Sequence, residues 1–152
     1  MPSLAFKNAE RAGGFFSRAI ELKTGSPFSH VEMWLTGPRE NATCFSSREP
    51  NGTGYANINL SDPLLWTIIE IPATPEQMEY ISWFCEGTGM KDYDFWGILG
   101  FVWPWGTHDD HDRFCSEWCT ECLQRCLGLW PCVKPWRTSP GDLYKLASAL
   151  KR

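Results

Sequence analysis

The chain has 152 residues, with 14 Lys or Arg against 18 Asp or Glu and a formal net charge of −4. That length fits one domain with a real core, so residues 1–152 are read as a single domain. The acidic balance argues against a protein that grips nucleic acid through a basic face.

The first residues, "MPSLAFKNAERAGG", lack the apolar core of a secretory signal. A cytoplasmic protein is expected, one that would reach a substrate outside the cell on release by lysis or delivery by other proteins. Residues 7–23 read as a helix interrupted by Gly13-Gly14, and "GSP" breaks it. "FSHVEMWL" (28–35) alternates and is rich in β-formers, which predicts a strand. "ATCFSSR" (42–48) predicts the returning strand of a hairpin, "NGTG" (51–54) a turn, and short strands follow near 55–60 and 64–71. The pattern then changes. Thr74, Pro75 and Gln77 form a capping box ahead of a helix that Gly87 and Gly89 end. "DYDFWGILGFVW" reads as an apolar helix and "HDDHD" as a polar loop. Residues 114–127 predict the third helix after that change, and Ser139-Pro140 starts the last one. The longest apolar patch, residues 95–105, contains Pro104 and falls well short of the roughly 20 apolar residues a spanning helix needs. No stable membrane insertion is expected. A helix, then antiparallel strands, then helices is an α+β order.

Four of the seven cysteines, Cys115, Cys119, Cys122 and Cys126, fall on one stripe of the third helix. An odd total in a reducing compartment argues against a disulfide framework. Cys119, Cys122 and Cys126 read as a buried stripe, since free cysteine behaves as a small hydrophobe. A zinc site is the rival: Cys119 and Cys122 have ligand-like spacing, with His108 and His111 upstream. Four thiols spread over three turns of one helix cannot all reach one ion, however, so no metal or cofactor is assigned. Cys115 differs because it opens the helix. There the dipole and unpaired N–H groups favour a thiolate and can hold an oxyanion beside it.

A nucleophilic thiol needs a base, and the chain has three histidines. His108 and His111 lie in a loop polar enough to be solvated surface. His30, within a strand, is either a satisfied structural histidine or the base of a Cys–His pair. The ring-orienting third group is expected on the neighbouring strand, where Ser46 and Ser47 are the polar candidates and Glu49 lies just beyond.

Four stretches together resemble the permuted papain-fold, NlpC-like cysteine peptidases, the group that includes the YiiX and YebB-like proteins and, more remotely, lecithin:retinol acyltransferase. "FSHVEMWL" is similar to the strand that bears the family's histidine. "KDYDFWGILGF" resembles the Tyr-Asp-Phe segment, "RFCSEWC" the nucleophile motif, and "RTSPGDL" the closing segment. The histidine precedes the cysteine, which is the permuted order. The resemblance implies a small antiparallel sheet or half-barrel packed against helices, with Cys115 as nucleophile, His30 as base and Ser46 at the ring-orienting position. Many relatives carry Glu at that position, and several carry Tyr where Phe114 stands. Glu117 and Asp94 match recurrent family positions with a structural role. The implied activity is thiol hydrolysis of an amide or peptide bond, such as a cell-wall peptide, through a Cys115 thioester. The partner implied is a peptide or acyl-amide substrate. An acyltransferase or lipid-acting thiol enzyme on the same fold, and a catalytically silent binding domain, are the alternatives. Trp103, Trp105, Trp118, Trp130 and Trp136 either line a groove or belong to the core.

Overall fold

The computed structural model describes residues 1–12, 22, 25–48, 52–89 and 115–150. Among them are five strands, β1 (Ser3–Asn8), β2 (Phe28–Thr36), β3 (Ala42–Arg48), β4 (Gly52–Ile58) and β5 (Trp66–Glu70). Four α-helices accompany them: α1 (Ala9–Ala12), α2 (Pro75–Thr88), α3 (Cys115–Leu127) and α4 (Pro140–Ala149). The strands form one antiparallel sheet in the order β4-β3-β2-β1-β5. The α+β class holds, with the three longer described helices following the strands.

The first strand corrects the helix expected over 7–23. Lys7 and Asn8 belong to β1, helix starts only at Ala9, and Asn8 Oδ1 accepts from the Glu10 N–H at 3.0 Å as a local cap. Most of the remaining expected helix lies outside the described residues. β1 is a central strand, and Ser3, Leu4, Ala5 and Phe6 are all buried. Burial on both faces removes the polar alternation by which a strand is recognised. The expected turn at 51–54 is also shorter than read, because β4 already begins at Gly52. The expected helix from "DYDFWGILGFVW" and the "HDDHD" loop lie outside the described residues.

A row of paired side chains crosses the sheet: Ile69 opposite Leu4, Leu4 opposite Met33, and Met33 opposite Phe45. These join Ile81 and Cys85 of α2, Trp118 and Leu123 of α3, and Leu143 and Ala147 of α4 in the main core. Trp118 is its anchor. It is fully buried, its ring centroid lies 4.6 Å from Phe45 and 5.6 Å from Phe84, and its Nε1–H donates to Thr88 Oγ1 at 2.8 Å. One side chain therefore joins sheet, α2 and α3. A smaller cluster collects Ala5, Ala42, Cys44, Leu60 and Trp66.

Both capping boxes are formed as their sequences require. Thr74 accepts from the Gln77 N–H at 3.2 Å and Gln77 Oε1 accepts in return at 2.9 Å; Ser139 and Asp142 repeat the exchange on α4. The α4 start packs tightly on the segment leading into β2. A Cβ on Gly141 would lie 2.2 Å from Ser26 Oγ and 2.3 Å from Ser26 Cβ. Since Ser26 Cβ is fixed to backbone, no rotamer change relieves that clash.

Two glycine substitutions in helices should consequently have opposite signs. Gly141→Ala gains at most ~1 kcal/mol of helix propensity but overpacks by about 1–3 kcal/mol, so a lowered denaturation midpoint is expected. Gly87→Ala, with no neighbour within 4 Å of the new Cβ, should raise stability by roughly 0.5–1 kcal/mol. Urea unfolding of the two variants beside wild type measures both.

Candidate active site

The site begins with an irregularity in β2. Lys7 pairs with His30 but Asn8 pairs with Phe28, so Ser29 is an extra residue opposite β1. Such a bulge re-aims the side chain beside it. Strict alternation would place Phe28 with His30 and Glu32, yet Phe28 joins Val31 and Met33 in the main core. The change of parity falls next to His30.

His30 and Glu32 are two apart and share a face of β2. His30 Nε2 meets Glu32 Oε1 at 2.8 Å. His30's side chain is 20% exposed, while Glu32's is only 2% exposed. A carboxylate so removed from water needs compensating partners. Besides His30, Arg48 supplies them from β3: its Nε donates to Oε1 at 2.7 Å and its Nη2 to Oε2.

The structure assigns the ring-orienting contact differently from the expectation at Ser46. Ser46 is buried on β3, but its hydroxyl donates to the Val31 carbonyl at 2.7 Å. Ser47 is buried beside it, and Glu49 lies outside the described residues. The group on the imidazole is Glu32. The period-2 pattern of "HVE" already placed the two side chains on one face, and that was the available signal. Arg48 had no comparable signal, since only the β2–β3 pairing brings it to Glu32.

Cys115 arrives from the other side. It is the first residue of α3 and is 4% exposed. Its thiol lies near enough to the His30 imidazole to act on the charge of the ring. Because Nε2 is held by Glu32, Nδ1 is the nitrogen left for sulfur. The helix start is itself anchored: Ser116 Oγ donates to Thr138 O at 2.7 Å, and Thr120 Oγ1 to Ser116 O at 2.7 Å. At Cys115 the first-turn N–H groups have no intrahelical acceptor, and the positive end of the dipole is close.

The electrostatics follow from this order of groups. Burial by itself pushes His30 toward the neutral form. Cys115 and then Glu32 outweigh it by charge and hydrogen bonding, and the imidazole is raised from 6.5 to about 10. Glu32 goes the other way. Burial disfavours its charge, but His30 and Arg48 hold its carboxyl below the usual range. Across neutral pH the ring is therefore a protonated imidazolium between a carboxylate and a sulfur.

The remaining candidates separate clearly. Cys119 and Cys122 are fully buried in the main core and Cys126 packs against it, and burial pushes the Cys119 and Cys122 thiols well up. All seven cysteines are free. Among the described residues no three His, Cys, Asp or Glu side chains converge as a metal site would require. No described helix is long and apolar enough to cross a membrane. Trp118 is core, Trp130 packs against the core and Trp136 is exposed. Trp103, Trp105, His108, His111, Asp94 and Phe114 lie outside the described residues. Glu117 is buried in the first turn of α3.

The raised imidazole makes a signed prediction. A group with a raised folded-state pKa contributes stability in full below 6.5, and loses it as pH climbs to about 10. In Glu32→Gln the His30 ring should release its proton at a lower pH. In Cys115→Ala it should release at a lower pH still, because Cys115 is the larger of the two raising influences. NMR titration of the His30 ring protons checks both shifts, and midpoints unmoved from wild type would contradict this electrostatic account.

No protein-family model matches this chain, and no curated protein matches it. The ground for assigning a function is therefore the meeting of Cys115, His30 and Glu32.

Proposed function

We propose that this protein is a thiol hydrolase of the permuted papain-like, NlpC-like type, cleaving an amide or peptide bond through a Cys115 thioester. One observation carries the reading: a single imidazole bridges a helix-opening cysteine and a buried carboxylate. That is the Cys–His–acceptor arrangement by which a weak thiol nucleophile is activated and its base oriented. The motif likeness of "FSHVEMWL" and "RFCSEWC" supports it independently.

The chemistry balances on the residues present. With its proton already on the His30 imidazole, the Cys115 sulfur attacks the carbonyl carbon of the substrate. The developing oxyanion is met by N–H groups at the start of α3. As the tetrahedral species collapses the C–N bond breaks. The imidazolium proton passes to the leaving amine, and a thioester remains. Water then attacks the thioester, with its proton taken by His30, and the C–S bond breaks to release the acid and leave the sulfur beside a protonated ring again. Glu32 stays ionised throughout. It holds Nε2 so that Nδ1 faces sulfur, and it stabilises the ring each time the ring is charged.

A silent binding domain drew its support from an uncharged third position. Glu32 brings a charged acceptor to the ring, which removes that support.

The test uses wild type, Cys115→Ala and His30→Ala on small amide and thioester substrates. Cys115→Ala should abolish turnover, and His30→Ala should lower it by roughly 10²–10⁴. Cys132 is exposed and Cys126 partly so. Iodoacetamide labelling is therefore done in a Cys126→Ser, Cys132→Ser background and located by peptide mass. Equal turnover by Cys115→Ala and wild type, or a Cys115 that resists alkylation at neutral pH, overturns the hydrolase reading. Acyl groups passing from Cys115 to an added amine in preference to water would identify a transferase instead.

A further inference from the structure

We propose that Arg48 is a positioning residue for the Cys115–His30 pair, acting through Glu32, an inference that rests on the thiol-hydrolase reading. A carboxylate that orients an imidazole must present one oxygen to the ring and keep it there. Glu32 is a flexible side chain on a strand and is shielded from water. Nothing on β2 fixes the plane of its carboxylate. Arg48 does, by taking both oxygens in one fork, with Nε on Oε1 and Nη2 on Oε2. Oε1 is the oxygen that also meets His30. The fork thus sets the position of the atom that orients the ring.

Arg48 is itself tied down. Its Nη1 donates to Gly54 O at 2.8 Å and to Ser46 O at 3.5 Å, and Ser46 and Gly54 are cross-strand partners in the β3–β4 ladder. A series of fixed contacts therefore runs from the β4 backbone through Arg48, Glu32 and His30 to Cys115. The donor inventory argues against a direct role on substrate. Of the five guanidinium N–H groups, two face Glu32 and two face backbone carbonyls, which leaves little to recognise a ligand.

Several charged or titratable groups bear on this cluster. Cys115 and Cys119 approach from α3, and Cys44 approaches from β3, where the Glu32 charge and burial both push it up. Lys7 stands opposite His30 on β1, with its Nζ 5.8 Å over the Trp66 ring. None of these can clamp the carboxylate in place of Arg48. Loss of the guanidinium has two opposing effects: a cation that repels the imidazolium is removed, and the carboxylate is freed. If position dominates, the ring loses its partner and its proton at a lower pH. If charge dominates, the ring holds its proton more tightly.

The experiment compares Arg48→Met and Arg48→Lys, each alone and in a Glu32→Gln background. Arg48→Met should lower the pH at which His30 titrates, slow Cys115 alkylation at neutral pH on the order of 10–10²-fold, and lower kcat more than it raises KM. Arg48→Lys keeps the charge without the fork and should fall between wild type and Arg48→Met; it also serves if the methionine variant does not fold. In the Glu32→Gln background neither substitution should move the His30 titration further, because the two act in series. An unchanged or raised His30 titration in a folded Arg48 variant, or additive effects with Glu32→Gln, would overturn the proposal. The titration needs no turnover, so it separates the two claims. A wild-type Cys115 inert to alkylation defeats the hydrolase reading, whereas a His30 that ignores Arg48 defeats this one.

Discussion

The imidazole of His30 lies between a carboxylate on its own strand, which meets Nε2, and a sulfur from a distant helix. Everything else about the site follows from satisfying that ring. A protonated imidazole with little access to water is unstable unless negative partners lie in contact. A buried carboxylate is equally unstable without cations. Glu32 resolves this with two cations, His30 and Arg48, and the ring lies between that carboxylate and the Cys115 sulfur.

The sheet is what makes such an arrangement durable. β2 lies between β1 and β3; β1 pairs with it at His30 and Glu32, and β3 pairs with it from Met33 onward. The extra residue at Ser29 interrupts that pairing only where the ring must turn toward the helix. Arg48 ends β3 and reaches both Glu32 and the carbonyl of Gly54. The charged groups are therefore attached to two adjacent strands, and β4 anchors the guanidinium through a backbone carbonyl.

The helix that brings the sulfur is located with equal care. Trp118 sits one turn beyond Cys115, fully buried against Phe45 and Phe84. Ser116 ties the same turn to Thr138, just ahead of the α4 cap at Ser139. The stripe of Cys119 and Cys122 continues this packing as small apolar side chains. Their burial disfavours the thiolate, so they fill space beside a cysteine that opens the helix and acts on His30.

Local signals in the sequence were sufficient for much of this. The two capping boxes, the α+β order, the β2 and β3 hairpin, and Cys115 at a helix start all depend on neighbours within four residues, and such signals survive in one dimension. So did the nomination of His30, through the short strand that bears it. β1 escaped because a strand buried on both faces has no alternation to read. The partner of the ring was sought on the next strand at Ser46, when Glu32 stood two residues away on the same face. Which polar side chain meets an imidazole depends on where the strand bulges and what else each hydroxyl or carboxylate is bonded to. Ser46 is engaged by Val31, and Glu32 is turned to His30 by a guanidinium that sequence places 16 residues away. Those outcomes are set by strand register and by the cost of isolating charge from water, and both exist only once the chain has closed on itself.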